Sequence, residues 1–128
     1  MAVHRFGELE AAIMEQLWAA GEPWTVRVVL DELRTEREVA YTTVQTVMDI
    51  LYRKGWLERT KRGRAFQYWP SMTRDHYTAQ LMDQALASGS DRDAVLLRFV
   101  EAMQPDEVER LRIAIDHAHR QQQEDPPT

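Results

Sequence analysis

Three bases crowd one glycine in "TKRGRAFQYWP", residues 60–70: Lys61 and Arg62 stand before Gly63, and Arg64 follows it. Lysines and arginines gathered at one point of a chain have one dominant chemistry, the attraction of a polyanion such as a phosphate backbone. Just upstream, Tyr41, Thr42, Thr43, Gln45, Thr46 and Asp49 fall on one polar face. On the first two turns of a helix, an amide such as Gln45 can pair with the edge of adenine. Threonines such as Thr42, Thr43 and Thr46 offer a hydroxyl to bases or phosphates and a methyl to thymine. Each group also has a plainer reading. A polar helix face is ordinarily just solvated, and charges at a strand turn guard against edge-to-edge aggregation.

Other chemistries are thinly represented. No nucleophile elbow, phosphate-binding glycine loop or paired-carboxylate pocket appears, so the chain does not read as an enzyme. Cysteine is absent, which excludes disulfides, thiol catalysis and cysteine-based metal sites. The histidines are His4, His76, His117 and His119, and the last two are spaced so that they do not share a helix face. No metal and no other cofactor is expected.

Charge is spread unevenly along the 128 residues, whose formal net charge is −5. Acids and bases balance over residues 1–72, and the acidic excess lies in 73–128. Inside the balanced part, Arg53–Arg64 ("RKGWLERTKRGR") holds six bases against one acid, with Arg53 and Lys54 flanking the polar helix. That patch is a footprint for a polyanion, and the acidic part is not expected to touch it. With 44% hydrophobic and 29% charged residues, the composition is that of a soluble globular protein. No apolar run is long enough to span a membrane, and "MAVHRFGELE" has no apolar signal core. A cytoplasmic location without a membrane partner is the expectation.

The elements that must position these groups follow from spacing. "GELEAAIMEQLWAAGEP", from Gly7, reads as a helix stopped by Gly21 and Pro23. Thr25 can cap a second helix, in which Val26, Val29, Leu30 and Leu33 form an apolar stripe. A third, "AYTTVQTVMDILYRKG", buries Val44, Val47, Met48 and Leu51. Its start is open between Ala40, a poor cap, and Thr42 with Gln45 as a capping box. "WLERT" and "AFQYWP" alternate like strands around "KRGR", with Gly63 in the turn and Pro70 at the end. Phe66 and Tyr68 share a strand face and read as the hairpin's attachment to a core. Helix, short extended piece, helix, helix and hairpin in this order make a winged helix-turn-helix over residues 1–72.

Residues 73–128 read as three further helices. Thr73 can cap the first, which carries Tyr77, Leu81, Met82 and Ala85. Ser90 with Asp93 would box the start of the second, "DRDAVLLRFVEAM", which is apolar on nearly every face except at Arg98. Pro105 opens the third, with Val108, Leu111, Ile115 and Ala118 recurring along it. The polar tail "RQQQEDPPT" is expected to fray. So small a helical piece buries little by itself, and an all-round apolar helix needs a partner. Residues 73–128 are therefore read as a homodimerisation domain using Tyr77, Leu81, Val95, Leu96, Phe99, Val100, Met103, Leu111 and Ile115. The fold class is mainly α with a small β-wing.

The segments "ELEAAIMEQLW", "TTVQTVMDILYRKGWL", "KRGRAFQYWP" and "LLRFVEAMQPDEVERLR" resemble the penicillinase repressor (BlaI/MecI) family, a likeness that covers about residues 7–120. The resemblance implies a homodimer with winged-helix DNA-binding domains on a pseudo-palindromic operator, repressing β-lactamase or other antibiotic-response genes. It carries base or phosphate contact onto Thr42, Thr43, Gln45 and Thr46, and wing contact onto Arg62 and Arg64. In antibiotic-responsive members a membrane sensor's signal leads to cleavage in the second C-terminal helix at an Asn–Phe bond. The matching step here is Arg98–Phe99, with the phenylalanine retained and the asparagine replaced. A protease or sensor that inactivates the protein is thus an implied partner. The family's copper-responsive branch uses a cysteine cluster, which this chain lacks. The competing class is a winged-helix protein-interaction module that binds no DNA. It leaves the six bases of Arg53–Arg64 unexplained.

Overall fold

Gly7 starts α1 (Glu8–Ala20) by donating its N–H to Glu10 Oε1 at 2.9 Å, and Glu8 and Glu10 place acid at the positive end of the helix. Gly21 ends it in the left-handed conformation (φ 67°), which a residue without a Cβ adopts freely. These details belong to a computed structural model that describes residues 6–124. His4 and residues 125–128 lie outside them.

β1 (Trp24–Thr25) leads into α2 (Val26–Leu33), where Thr25 Oγ1 accepts the Val28 N–H as the sequence predicts. α3 (Tyr41–Arg53) follows a short turn. Its N-cap is Ala40, without a side-chain cap, so the Thr42–Gln45 box does not form. Helical backbone already at Tyr41 places Thr42 inside the first turn, where it can no longer act as the cap. β2 (Leu57–Arg62) and β3 (Ala65–Pro70) make an antiparallel hairpin, and β1 adds to the far edge of β3, giving the order β1-β3-β2. The register runs from Leu57↔Pro70 to Arg62↔Ala65, which leaves Gly63 and Arg64 as the two-residue loop. Gly63 has φ 64°, and a positive φ at the first loop position alone is the type II′ pattern that matches strand twist.

The core of this winged helix joins every element. Ile13, Met14 and Leu17 of α1 meet Val26, Val29, Leu30 and Leu33 of α2, Val44, Met48 and Leu51 of α3, and Leu57 and Tyr68 of the hairpin. Beside it, the Tyr77 ring stacks on Phe6 at 4.9 Å and meets Trp18 and Trp56 at 5.5 and 5.7 Å. Trp18 Nε1 donates to the Met72 carbonyl at 2.9 Å, and Arg74 grips Glu15 with both Nε and Nη2. Tyr77 therefore packs in the first unit, against Phe6, Trp18 and Trp56.

The chain divides into two compact units, Met1–Met82 and Asp83–Thr128. The division falls within α4 (Arg74–Ala87), which Thr73 Oγ1 starts by accepting the His76 N–H. Leu81 lies on the first unit's side of it. The second unit contains the end of α4, α5 (Arg92–Glu101) and α6 (Pro105–Glu124). α5 is capped by Asp91, whose carboxylate accepts the Ala94 N–H at 3.1 Å, and not by Ser90. Both residues are good caps, but the carboxylate also meets the helix dipole, and the helix starts one residue later. Pro105 opens α6 as expected, and Glu107 Oε1 accepts the Gln104 N–H. The helix continues through Glu124, beyond the start of the expected fraying. Among the described residues no helix is long and apolar enough to cross a membrane.

Candidate nucleic-acid interface

α3 buries Val44, Met48 and Leu51 against the core, which turns Thr42, Thr43, Gln45 and Thr46 outward. All four are exposed, and none has a side-chain partner among the described residues. The core thus holds two turns of hydroxyls and an amide toward solvent on a fixed helix.

The hairpin treats its bases differently. Alternation along β2 puts Leu57, Arg59 and Lys61 on one face and Glu58, Thr60 and Arg62 on the other. Lys61 shares its face with its cross-strand partner Phe66, lying 6.0 Å from the ring centroid. Arg62 points to the reverse face, where with Thr60, Gln67 and Trp69 it lines a groove beside Trp18 and Pro23. Arg64 stands at the loop. Lys54, Lys61, Arg62 and Arg64 are exposed and have no ion pair or hydrogen-bonded side chain among the described residues.

Arg53 and Arg59 are engaged instead. Asp49, one turn before Arg53 on α3, holds Arg53 Nε at 3.0 Å through one carboxylate oxygen and Arg59 Nη1 at 3.0 Å through the other. Two cations on one carboxylate remove a negative charge that would otherwise repel phosphate from this surface. Arg59 Nη1 also donates to the Tyr68 hydroxyl at 3.3 Å, and the guanidinium carbon lies 3.9 Å from the Tyr52 ring centroid and 4.1 Å from that of Phe66. The Tyr68 hydrogen bond, then Asp49, raise the Arg59 pKa against the opposing effect of burial. Sequence reasoning passes over Arg59, because its partners lie on two other elements, α3 and β3. A base at mid-strand facing aromatic positions on its own hairpin face is the available signal.

A family model described as "Penicillinase repressor" matches residues 6–117. The chain belongs to the penicillinase repressor family. This is a family of transcriptional repressors and not of enzymes. The curated relative "Transcriptional regulator BlaI" of Mycobacterium tuberculosis, in strains CDC 1551 and H37Rv, is 43% identical over 114 residues. The match covers 87% of this chain and 83% of the relative. Among solved structures, a complex of hsRosR-S4 aligns over 94% of this penicillinase repressor family member and 96% of its own chain, at 20% identity and TM-score 0.50. Bacillus licheniformis BlaI, solved in monomeric form with the blaP half-operator, aligns over 57% of this chain and 88% of its own. Its identity is 26% and its TM-score 0.49.

On the second unit, Val95, Leu96, Leu97 and Phe99 of α5 and Ile113 and Ile115 of α6 are all exposed, while Val100, Met103 and Leu111 are half-buried. Arg98 and Phe99, at the candidate cleavage step, both face solvent in the last turn of α5.

Proposed function

We propose that the protein is a homodimeric repressor that binds a pseudo-palindromic stretch of double-stranded operator DNA. α3 enters the major groove and offers Thr42, Thr43, Gln45 and Thr46 to base edges and neighbouring phosphates. Lys61, Arg62 and Arg64 of the wing, with Lys54 and the outer edge of Arg53, take phosphates and fix the register. One observation carries the reading. Lys54, Lys61, Arg62 and Arg64 and the exposed hydroxyls and amide lie on adjacent elements and make no ion pair or side-chain hydrogen bond among the described residues, while Asp49, the acid among them, is neutralised by Arg53 and Arg59.

The second unit pairs two copies through the exposed apolar side chains of α5 and α6, so that each dimer brings two recognition helices to two half-sites. Its control lies in the same place. A protease takes an extended backbone, so cutting at Arg98–Phe99 needs α5 to unwind first, and either event removes the pairing surface. The regulated genes are those of β-lactamase or another antibiotic response, and the site of action is the cytoplasm.

The test is a gel shift with duplex from upstream of the protein's own gene beside random duplex, over a range of salt. The upstream duplex should bind more tightly, with log K falling by about 0.9 per log unit of salt for each phosphate neutralised. Equal, salt-independent or absent binding would overturn the proposal.

A further inference from the structure

The wing has a weak point in its construction. β1 pairs with β3 only at Tyr68 and Gln67, so from Phe66 outward the hairpin is a two-stranded ribbon without a third strand. An isolated two-stranded ribbon is marginal in water, yet this one carries Lys61, Arg62 and Arg64. Arg59 sits where the third strand stops, paired with Tyr68 across the sheet and diagonal to Phe66. Its guanidinium ties β2 and β3 to Asp49 and Tyr52, which lie on one face of α3.

We propose that Arg59 is a positioning residue for DNA binding, clamped between Tyr52 and Phe66, which fixes the wing tip against α3 and so sets the distance between the groove-reading groups and the phosphate-binding bases. The proposal rests on the DNA-binding reading above. Only a planar guanidinium can lie between two rings and donate in its own plane to Asp49 and Tyr68 at once; an ammonium on a flexible stem cannot. With Nη1 committed to Asp49 and Tyr68, the guanidinium against two rings and the side chain only 21% exposed, Arg59 acts on DNA through the wing.

Two variants test it, Arg59→Lys, which keeps the charge, and Phe66→Leu, which removes one stacked ring from an exposed position. In the free protein, amide relaxation should show residues 61–65 of both variants more mobile than in the wild type. On upstream and random duplexes alike, Arg59→Lys should bind several-fold more weakly. Its salt slope should flatten by about 0.9 for each phosphate that the loosened wing no longer holds, although every wing base is still present. Adding Arg64→Ala to Arg59→Lys should cost less than Arg64→Ala alone. A wing tip as ordered as wild type in both variants, an unchanged slope, or fully additive losses would overturn the clamp. If the wild type itself bound no duplex, the DNA reading would fail while the relaxation data still judged the clamp.

Discussion

Leu51 on α3 is fully buried, whereas Leu97 on α5 is 61% exposed. The same side chain marks two ways of using apolar surface. In the first unit each apolar stripe meets another: three helices and a hairpin close around Met48 and Leu51. In the second unit, α5 contains no buried residue, and α6 leaves Ile113 and Ile115 in solvent. Ordering a residue costs about 1–2 kcal/mol of backbone entropy, and burying a large apolar side chain returns about 1.5–3 kcal/mol. A unit that buries almost nothing within itself must find that return elsewhere, and a second copy offers the same unmet surface. The difference teaches where burial is complete and where it is not: the winged helix closes its own core, and the pairing proposed above would give the tail the burial it lacks.

The comparison breaks most visibly on truncation. A fragment of residues 1–82 keeps Tyr77 in its aromatic packing and should sediment as a folded monomer. Its operator affinity should fall by roughly 10²–10⁴, the range that joint binding of linked sites supplies. Binding as tight as the whole protein's would sink the idea that the tail controls repression. A fragment ending at residue 72 would also remove Tyr77 and confuse lost folding with lost pairing.

Core truncation comes next. Leu51→Ala should cost about 2–5 kcal/mol in urea unfolding of the 1–82 fragment, because it empties a closed site. Leu97→Ala in the full chain should instead shift the monomer–dimer equilibrium seen by sedimentation. If Leu97→Ala left self-association untouched while Leu51→Ala was harmless, the contrast between the units would be lost.

Thr46→Ala sharpens the picture within the first unit. It should cost about 1–3 kcal/mol on the specific site and far less on random DNA, as measured by competition. Equal losses would make Thr46 a phosphate ligand or a structural residue. The smallest effect is expected at the wing. Arg62→Ala and Arg64→Ala should each weaken all duplexes alike and flatten the salt slope by about 0.9. Because Arg62 lies on the reverse face of the pleat, a slope unchanged by its loss alone would assign phosphate binding to Lys61 and Arg64.

Much of this is legible in the sequence, and the reasons are local. Gly21 with Pro23, Thr25, Gly63 and Pro105 are punctuation that acts within a few residues, so helix ends and the hairpin can be placed from spacing alone. Period-2 alternation puts Phe66 and Tyr68 on one face as the wing's attachment, and Tyr68 does enter the core, whereas Phe66, nearer the tip, stays exposed and packs on Arg59. What escapes is decided by competition or by distance. Ser90 and Asp91 are adjacent capping residues, and spacing does not choose between them. Ala40 begins α3 without any cap signal, because packing of Val44, Met48 and Leu51 sets that helix. Tyr77 carries a helical apolar spacing that fits either unit, and only Phe6, Trp18 and Trp56 claim it for the first. Asp49 belongs to the polar face by spacing, yet Arg59, from another element, takes its charge.

The aromatic residues divide as sharply as the core does. Trp18, Trp24, Trp56 and Trp69, and Tyr41, Tyr52, Tyr68 and Tyr77, all precede Met82, and Phe99 is the one phenylalanine, tyrosine or tryptophan after it. Tyrosine and tryptophan absorbance and indole emission therefore see the first unit alone, whereas far-ultraviolet dichroism sees the helices of both units. Heating one sample under both kinds of light follows two parts of one chain without a label. A dichroic loss that runs ahead of the indole red-shift would be the optical signature of a tail that melts while the wing domain stands.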